Sequence, residues 1–484
     1  MNDSYGNKFK GKKNIKKIEK QLNYQYLGDE FLILWFKENY LNFEFIKKPI
    51  PYERFERKQN IIRCVESLNS KQELHKQRGV LQDLWAHLIS CAIIYLKSED
   101  KREIYHDDGD YGLDLMKEYF NKFCDFEKLL YGNSRYYRDH LSHLFNVFFL
   151  GEFVLREYLG GFKFLNFRDK ELLGKYSIKP EEKEAIWCLI ALTHDLGYPL
   201  EVVQSINSQV KDMIQLFNMD SISFVLSQQS QMLNENVISL ISSELEKLKK
   251  DKYLTHVQSK YLWKYLKALE NYKHGIVSCI LLFKSLFYFL ESDFSIDSLR
   301  PMNQNDARQF LIRQKILRAI ASHDCDFIYH LKLLDISTFL RIIDEMQEWN
   351  RPTLMTLFET QPKIDVHLKE FSKNKISYSI IFSLLHNNEI FDMEIKNISQ
   401  SIHTYFATKT KKYLEILRSA IGGDLRDFLI EFEVIDRVKK NKEHTYKLIH
   451  KNPEDIIIIE DGRRINFDKL STKLGTMENN FTFR

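Results

Sequence analysis

The sequence predicts a mainly α-helical protein with a small α+β region at its C-terminal end, on three observations. Glycine and proline are scarce, 17 and 8 among 484 residues, while Lys, Ile, Leu, Phe and Tyr are abundant, which favours long helices over an all-β fold. Apolar residues recur at i, i+3, i+4 and i+7 over much of the chain. Beyond about residue 360 that spacing gives way to alternation and a turn pair.

The length exceeds what one hydrophobic core usually serves, so two or three domains are expected. Hydrophobic content of 44% with 29% charged residues suits a soluble globular protein. A net charge of +4 supplies no global argument for nucleic-acid binding. Cys64, Cys91, Cys124, Cys188, Cys279 and Cys325 are scattered without a CxxC pair, as expected of free thiols in a reducing cytoplasm. The first residues lack the apolar core of a signal peptide, and the best membrane candidate, Ile276 to Leu290, is broken by Lys284 and too short to span. A cytoplasmic protein without a membrane partner is expected.

In chain order, residues 1–24 form a lysine-rich polar stretch that reads as a flexible basic tail, with a polyanion-binding arm as the sharper alternative. Residues 25–130 read as an N-terminal helical region without a chemical motif; Leu81, Leu84, Trp85, Leu88, Ile89, Ile93 and Leu96 mark one helix. Residues 131–360 carry the chemistry. On the first helix there, His140, His143, Val147, Leu150 and Val154 share a stripe. A second apolar run, Ala185 to Leu192, leads into His194 and Asp195, and Gly197 and Pro199 read as its helix stop. An Asp at a helix C-terminus is disfavoured by the partial negative charge there, and a bound cation reverses that penalty.

Residues 200–272 read as a polar, helix-rich insertion spanning Ser221 to Leu240 and Leu254 to Leu269. His274 heads the next buried helix, and His323 ends the inward face of a helix from Leu311 to Ser322. Asp344 lies on an apolar stripe of a helix from Thr338 to Trp349, where an unpaired carboxylate is costly. Residues 361–484 read as the α+β C-terminal region. It holds a strand at Ile376 to Ile380, a helix from Ile398 to Ile421, a hairpin turning at Asp461-Gly462 and a loose end from Thr476.

His143, His194, Asp195, His274, His323 and Asp344 thus lie on apolar helical stripes or helix ends of five separate helices. Nitrogen and carboxylate donors without thiolate suit divalent Mn, Fe, Zn, Ni or Mg bound for hydrolysis rather than a structural zinc site. The order H, HD, H, H, D over roughly residues 131 to 352 resembles the HD-domain phosphohydrolases, a helical metal-dependent superfamily. The resemblance implies an HD-domain helical bundle. It also implies that His143, His194, Asp195 and Asp344 hold a primary metal, that His274 and His323 serve a second, and that Asp195 bridges them. Asp195, His274, His323 and Lys273 are the expected catalytic residues. Arg138, Lys273, Tyr198 and Arg351 are the expected substrate contacts. His140 is read as a packing or supporting residue, with an extra ligand or a proton donor as alternatives.

The expected activity is hydrolysis of a phosphoester or phosphoanhydride bond of a nucleotide, deoxynucleoside triphosphates included. A cyclic- or oligonucleotide phosphodiesterase, a single-strand nuclease and a degenerate nucleotide sensor are the alternatives. The His-rich segment usual after the HD pair in the dNTP branch is absent here. Gly197-Tyr198-Pro199 abuts the pair, whereas the Gly-Tyr-Pro motif of cyclic-di-GMP phosphodiesterases lies well downstream of it. The long insertion and the appended region suit an oligomer controlled by a nucleotide effector, and analogy alone extends this to nucleotide depletion in antiviral defence.

Overall fold

The structure, a computed structural model, describes residues 25–47, 53–98, 112–133, 139–215, 231–290, 301–325, 335–349, 363–383, 392–419, 429–439, 442–450 and 456–465. The tail 1–24, Arg138, Arg351 and the end from Thr476 lie outside the described residues. A short strand β1 (Gln25–Leu27) precedes α1 (Asp29–Asn39), α2 (Glu53–Ser67), α3 (Arg78–Ser98) and α4 (Leu113–Asn133). The middle of the chain forms α5 (His140–Phe153), α6 (Pro180–Thr193), α7 (Tyr198–Gln215) and α8 (Gln231–Ser242). A hairpin of β2 (Ser243–Lys247) and β3 (Tyr253–Val257) follows, then α9 (Ser259–Glu270), α10 (His274–Ser285), α11 (Gln304–His323) and α12 (Ile336–Met346). The chain closes with β4 (Lys363–Phe371), β5 (Lys375–Ser383), α13 (Asp392–Ser419), β6 (Leu429–Lys439), β7 (Lys442–His450), β8 (Ile456–Glu460) and β9 (Arg463–Ile465).

Helix predominates, as the composition implies. Helix α6 sits at the centre, packed by α3, α5 and α11. Its residues from Glu182 to Thr193 are all buried, the state expected of a helix apolar on every side. The charges at its start are paired: Glu182 accepts from Arg308, Glu184 from Arg156, and Lys183 donates to the Leu165 carbonyl at 2.7 Å. Among the described residues two stretches, Leu74–Lys97 and Pro180–Met213, are long and apolar enough to cross a membrane by length and composition, whereas Ile276 to Leu290 is not among them. Burial of 56% and 72% of their apolar windows accounts for both as core helices.

Three expectations change. Among the described residues the C-terminal sheet has seven strands in the order β1-β4-β5-β6-β7-β8-β9, and its edge strand comes from the N-terminal segment, which reads as helical in the sequence. All its pairs are antiparallel except β5 with β6, and α13 supplies the crossover that a parallel pair requires. The insertion is not wholly helical either. Leu254 falls in β3, because Ser243–Lys247 and Tyr253–Val257 alternate in burial and pair antiparallel.

The third correction concerns the helix stop. Helix α6 ends at Thr193, before the His-Asp pair, and Gly197 does not adopt a positive φ. Pro199 lies in the first turn of α7, where its missing N–H leaves no hydrogen bond unmade. The hairpin at Asp461-Gly462 forms as expected, both residues having positive φ (48° and 77°).

Candidate metal centre

The four-residue turn between α6 and α7 carries His194 and Asp195, and its backbone is fixed by side chains from three helices. Trp85 Nε1 donates to the Leu192 carbonyl at 2.7 Å, Tyr119 Oη to Leu196 at 2.6 Å, and Ser278 Oγ to His194 at 2.7 Å. Ser278 Oγ also accepts from the Gly197 N–H at 2.8 Å. Glycine is required at 197 by proximity: a Cβ there would stand 2.3 Å from the His274 carbonyl oxygen. Gly275 serves the same purpose on the other side of α10, where a Cβ would stand 2.7 Å from the Ile320 carbonyl of α11.

These close approaches bring residues distant in sequence together around Asp195. His143 comes from the first turn of α5, His274 is the first residue of α10, His323 the last of α11, and Asp344 lies in the last turn of α12. Asp195 Oδ2 is 3.5 Å from His143 Nε2. Its Oδ1 is 3.6 Å from His194 Nε2 and 3.3 Å from the Nε2 atoms of both His274 and His323. His143 Nε2 is also 2.9 Å from Asp344 Oδ1. His143, His194 and Asp344 form one group able to hold a metal ion, and His194, Asp195 and His323 form another, with donor atoms within 4.8 Å in each.

The outward nitrogens explain which way the rings face. His194 Nδ1 lies 2.9 Å from the Ala191 carbonyl and His323 Nδ1 2.6 Å from that of Ile320. His143 Nδ1 lies 2.5 Å from Gln347 Oε1, whose orientation is set by donation from Gln347 Nε2 to the Trp349 carbonyl at 2.8 Å. His274 Nδ1 meets Glu201 Oε2 at 2.6 Å and Asp324 Oδ2 at 3.0 Å. Each Nδ1 has an oxygen acceptor, and with the ring proton there the four Nε2 lone pairs converge on Asp195. Lone pairs aimed at a carboxylate and at one another repel unless a proton or a metal ion lies among them. The Nε2 atoms of His274 and His323 are only 2.9 Å apart, and His194 Nε2 is buried without a hydrogen-bond partner. This donor set fits a divalent ion.

The electrostatics agree. Burial, which outweighs the neighbouring Asp195, takes the His194 imidazole down to about 4, so it is a neutral donor at physiological pH. Burial opposes ionisation of Asp195, but His194 and hydrogen bonds from His274 and His323 outweigh it and hold the carboxyl well below its usual range. Asp344 is held low against burial by His143. His274 goes the other way: against burial, Asp324, Asp195 and Glu201 hold its imidazole well above the usual histidine range. The metal-free protein therefore keeps a proton at His274, and a metal must displace it. Affinity for Mn²⁺ is expected to rise with pH until His274 is deprotonated and to level off above. Calorimetric titration in buffers of different ionisation enthalpy should register release of about one proton on binding. Binding that is independent of both pH and buffer would contradict this assignment.

All six expected ligands thus converge. Tyr198 and Lys273 lie at the edge of the cluster. The Tyr198 ring is 3.9 Å from that of His140 and 5.6 Å from that of His274. Lys273 precedes α10, its ammonium 3.5 Å from Asp324 Oδ1. His140 supports the site from behind: its N–H donates to buried Glu127 at 2.7 Å, and Glu127 is joined to Asp139, the N-cap of α5, by Arg78.

Sequence reasoning missed Glu201, Asp324, Gln347 and Arg341, whose guanidinium holds the carbonyls of His323 (3.2 Å) and Cys325 (2.8 Å) at the end of α11. Asp324 carried a usable signal, since it follows a helix C-terminus as Asp195 does. Glu201 is an ordinary first-turn acid by sequence.

Compared with family models, curated proteins and solved structures, the chain matches none. What the site can do is set by its own donors: buried His and Asp groups that can hold a metal ion. His143, His194 and His323 are sealed, whereas the Asp344 side chain is 23% exposed and that of Glu201 31%. Asp344, His274 and Glu201 are thus the more exposed members of the group.

Proposed function

We propose that the chain is a metal-dependent phosphohydrolase of the HD type that cuts a phosphoester or phosphoanhydride bond of a nucleotide, deoxynucleoside triphosphates included. The observation that carries this reading is the position of Asp195. One carboxylate oxygen faces His143, which pairs with Asp344, and the other faces His194, His274 and His323. His143, His194, Asp195 and Asp344 would hold one ion, and His274 and His323, sharing Asp195, a second. Bound divalent cations supply an activated water and neutralise charge developing at phosphorus.

The chain's residues do the rest. Glu201 and Asp324 orient His274 and strengthen it as a donor, as Gln347 does for His143. The burial of His143, His194 and His323 strengthens the charge interactions of the donors at the cluster's more exposed edge. At that edge Lys273 offers the positive charge a phosphate needs, and the Tyr198 ring offers a face for a base or ribose.

The test is a screen of chelator-treated protein resupplied with Mn²⁺ against dNTPs, NTPs, cyclic dinucleotides, single-stranded DNA and single-stranded RNA. Metal-dependent release of phosphate, pyrophosphate or triphosphate from a dNTP is expected, and the product fixes the bond cut. Turnover confined to cyclic or polymeric substrates would move the reading to a phosphodiesterase or nuclease. A nucleotide that raises the melting temperature without being cleaved would overturn the enzyme and leave a sensor.

A further inference from the structure

The last turn of α12 and the residues just after it connect the metal cluster to the C-terminal sheet. Asp344 faces His143, while the next residue, Glu345, faces the opposite way, toward α13. Lys409 of α13 places its ammonium 2.5 Å from both Glu345 Oε2 and Glu348 Oε1, and 2.7 Å from the Glu345 backbone carbonyl. That carbonyl is one of those left without an intrahelical partner at a helix C-terminus, so Lys409 caps the turn that carries Asp344. Lys412 adds a second contact, 2.6 Å from Glu345 Oε1. Between the two glutamates, Gln347 reaches back to His143. The Lys409 and Glu348 side chains are 7% and 5% exposed, which makes the pairing strong and particular in geometry.

The position of α13 is in turn set by the sheet. Phe406 stacks on Phe432 of β6 and packs against Tyr446 of β7, and the Tyr413 hydroxyl bonds that of Tyr378 on β5. A second link runs from the other end of the chain. Trp349 Nε1 donates at 3.0 Å to Asp29, two residues beyond the edge strand β1. Asp29 also accepts from Asn146, one turn along α5 from His143.

We propose that Lys409 is a positioning residue for the metal centre: by capping α12 and clamping Glu345 and Glu348 it sets Asp344 and, through Gln347, His143. Through Lys409, α13 is thereby part of the metal site's support. This rests on the metal-centre reading above.

The test titrates metal-free full-length protein with Mn²⁺. Lys409→Met should weaken Mn²⁺ binding by about tenfold, the low end of the loss on removing a group bonded directly to a ligand, because Lys409 acts through Glu345 and Glu348, with helical content kept. Phe406→Leu, which loosens α13 on the sheet without touching α12, is the control for plain destabilisation. It should lower the melting temperature while leaving Mn²⁺ affinity within about twofold of the unmodified protein, since no metal-supporting contact is removed. Should Lys409→Met fail to fold, Lys412→Met, at a half-exposed position, should weaken binding by about threefold, in keeping with an exposed ion pair. Unchanged Mn²⁺ affinity in the folded lysine variant, or an equal loss in Phe406→Leu, would overturn the proposal. Absence of Mn²⁺ binding by the unmodified protein would instead remove the metal-centre reading itself.

Discussion

Asp195→Ala is expected to abolish divalent-metal binding and to lower nucleotide hydrolysis by at least about 10³-fold, equivalent to about 4 kcal/mol of transition-state stabilisation. The reason is geometric. Both carboxylate oxygens of Asp195 face histidine Nε2 atoms, so one substitution removes a donor from each half of the cluster. The fold should survive, because the turn that carries Asp195 is held through its backbone by Trp85, Tyr119 and Ser278 and not through the carboxylate. His274 keeps Glu201 and Asp324 as partners in the variant. Elemental analysis, circular dichroism and turnover on the same preparation check the three parts. Full metal content or full activity in a folded variant would remove Asp195 from the centre of the mechanism.

What the sequence made legible here is the inner ring of donors, and the reason is energetic. A histidine or aspartate on an otherwise apolar helix face is conspicuous because burying it costs free energy without a partner. His143, His323 and Asp344 stand out in that way, and Asp195 by following an apolar run at a helix end. The supporting residues do not. Glu201 sits where acids favour a helix N-terminus anyway, and Gln347 lies just past a helix end, so neither breaks a local rule. Their roles depend on tertiary approach, which a single chain does not display.

The sheet shows the same divide. Ile376–Ile380 and the Asp461-Gly462 turn carry local signals and form as expected. β6, Leu429–Lys439, alternates charged with apolar residues and could have been found by its period of two. β1 could not: three residues contain no period, and only pairing with β4 makes them a strand. Lys409, likewise, reads as a surface lysine until α13 is laid against the end of α12.

Gly197→Ala is expected to cost about 3 kcal/mol of stability, at the upper end of what overpacking one methyl group usually costs, and to separate the two halves of the metal cluster. The added Cβ would meet three atoms of α10, two of them backbone: the His274 carbonyl oxygen at 2.3 Å, Val277 Cβ at 2.7 Å and the Ser278 nitrogen at 2.8 Å. Backbone cannot rotate away, so α10 must move from the turn, losing the bond between Ser278 and the Gly197 N–H. The displacement carries His274, whose Nε2 lies 3.3 Å from Asp195 Oδ1, while His143 and Asp344 stand on α5 and α12, and His194 begins the turn directly after α6, none of them among the atoms the methyl group meets. Metal content should therefore fall from about two ions to about one rather than to none, the two-ion starting point being that of a shared-carboxylate site. Gly79→Ala is the matched control, since a Cβ there meets nothing within 4 Å. It should not lower urea stability, alanine being the better helix former, and should leave Mn²⁺ stoichiometry unchanged. A Gly197→Ala protein as stable as the control and still binding two ions would show that the contact between turn and α10 does not set the cluster.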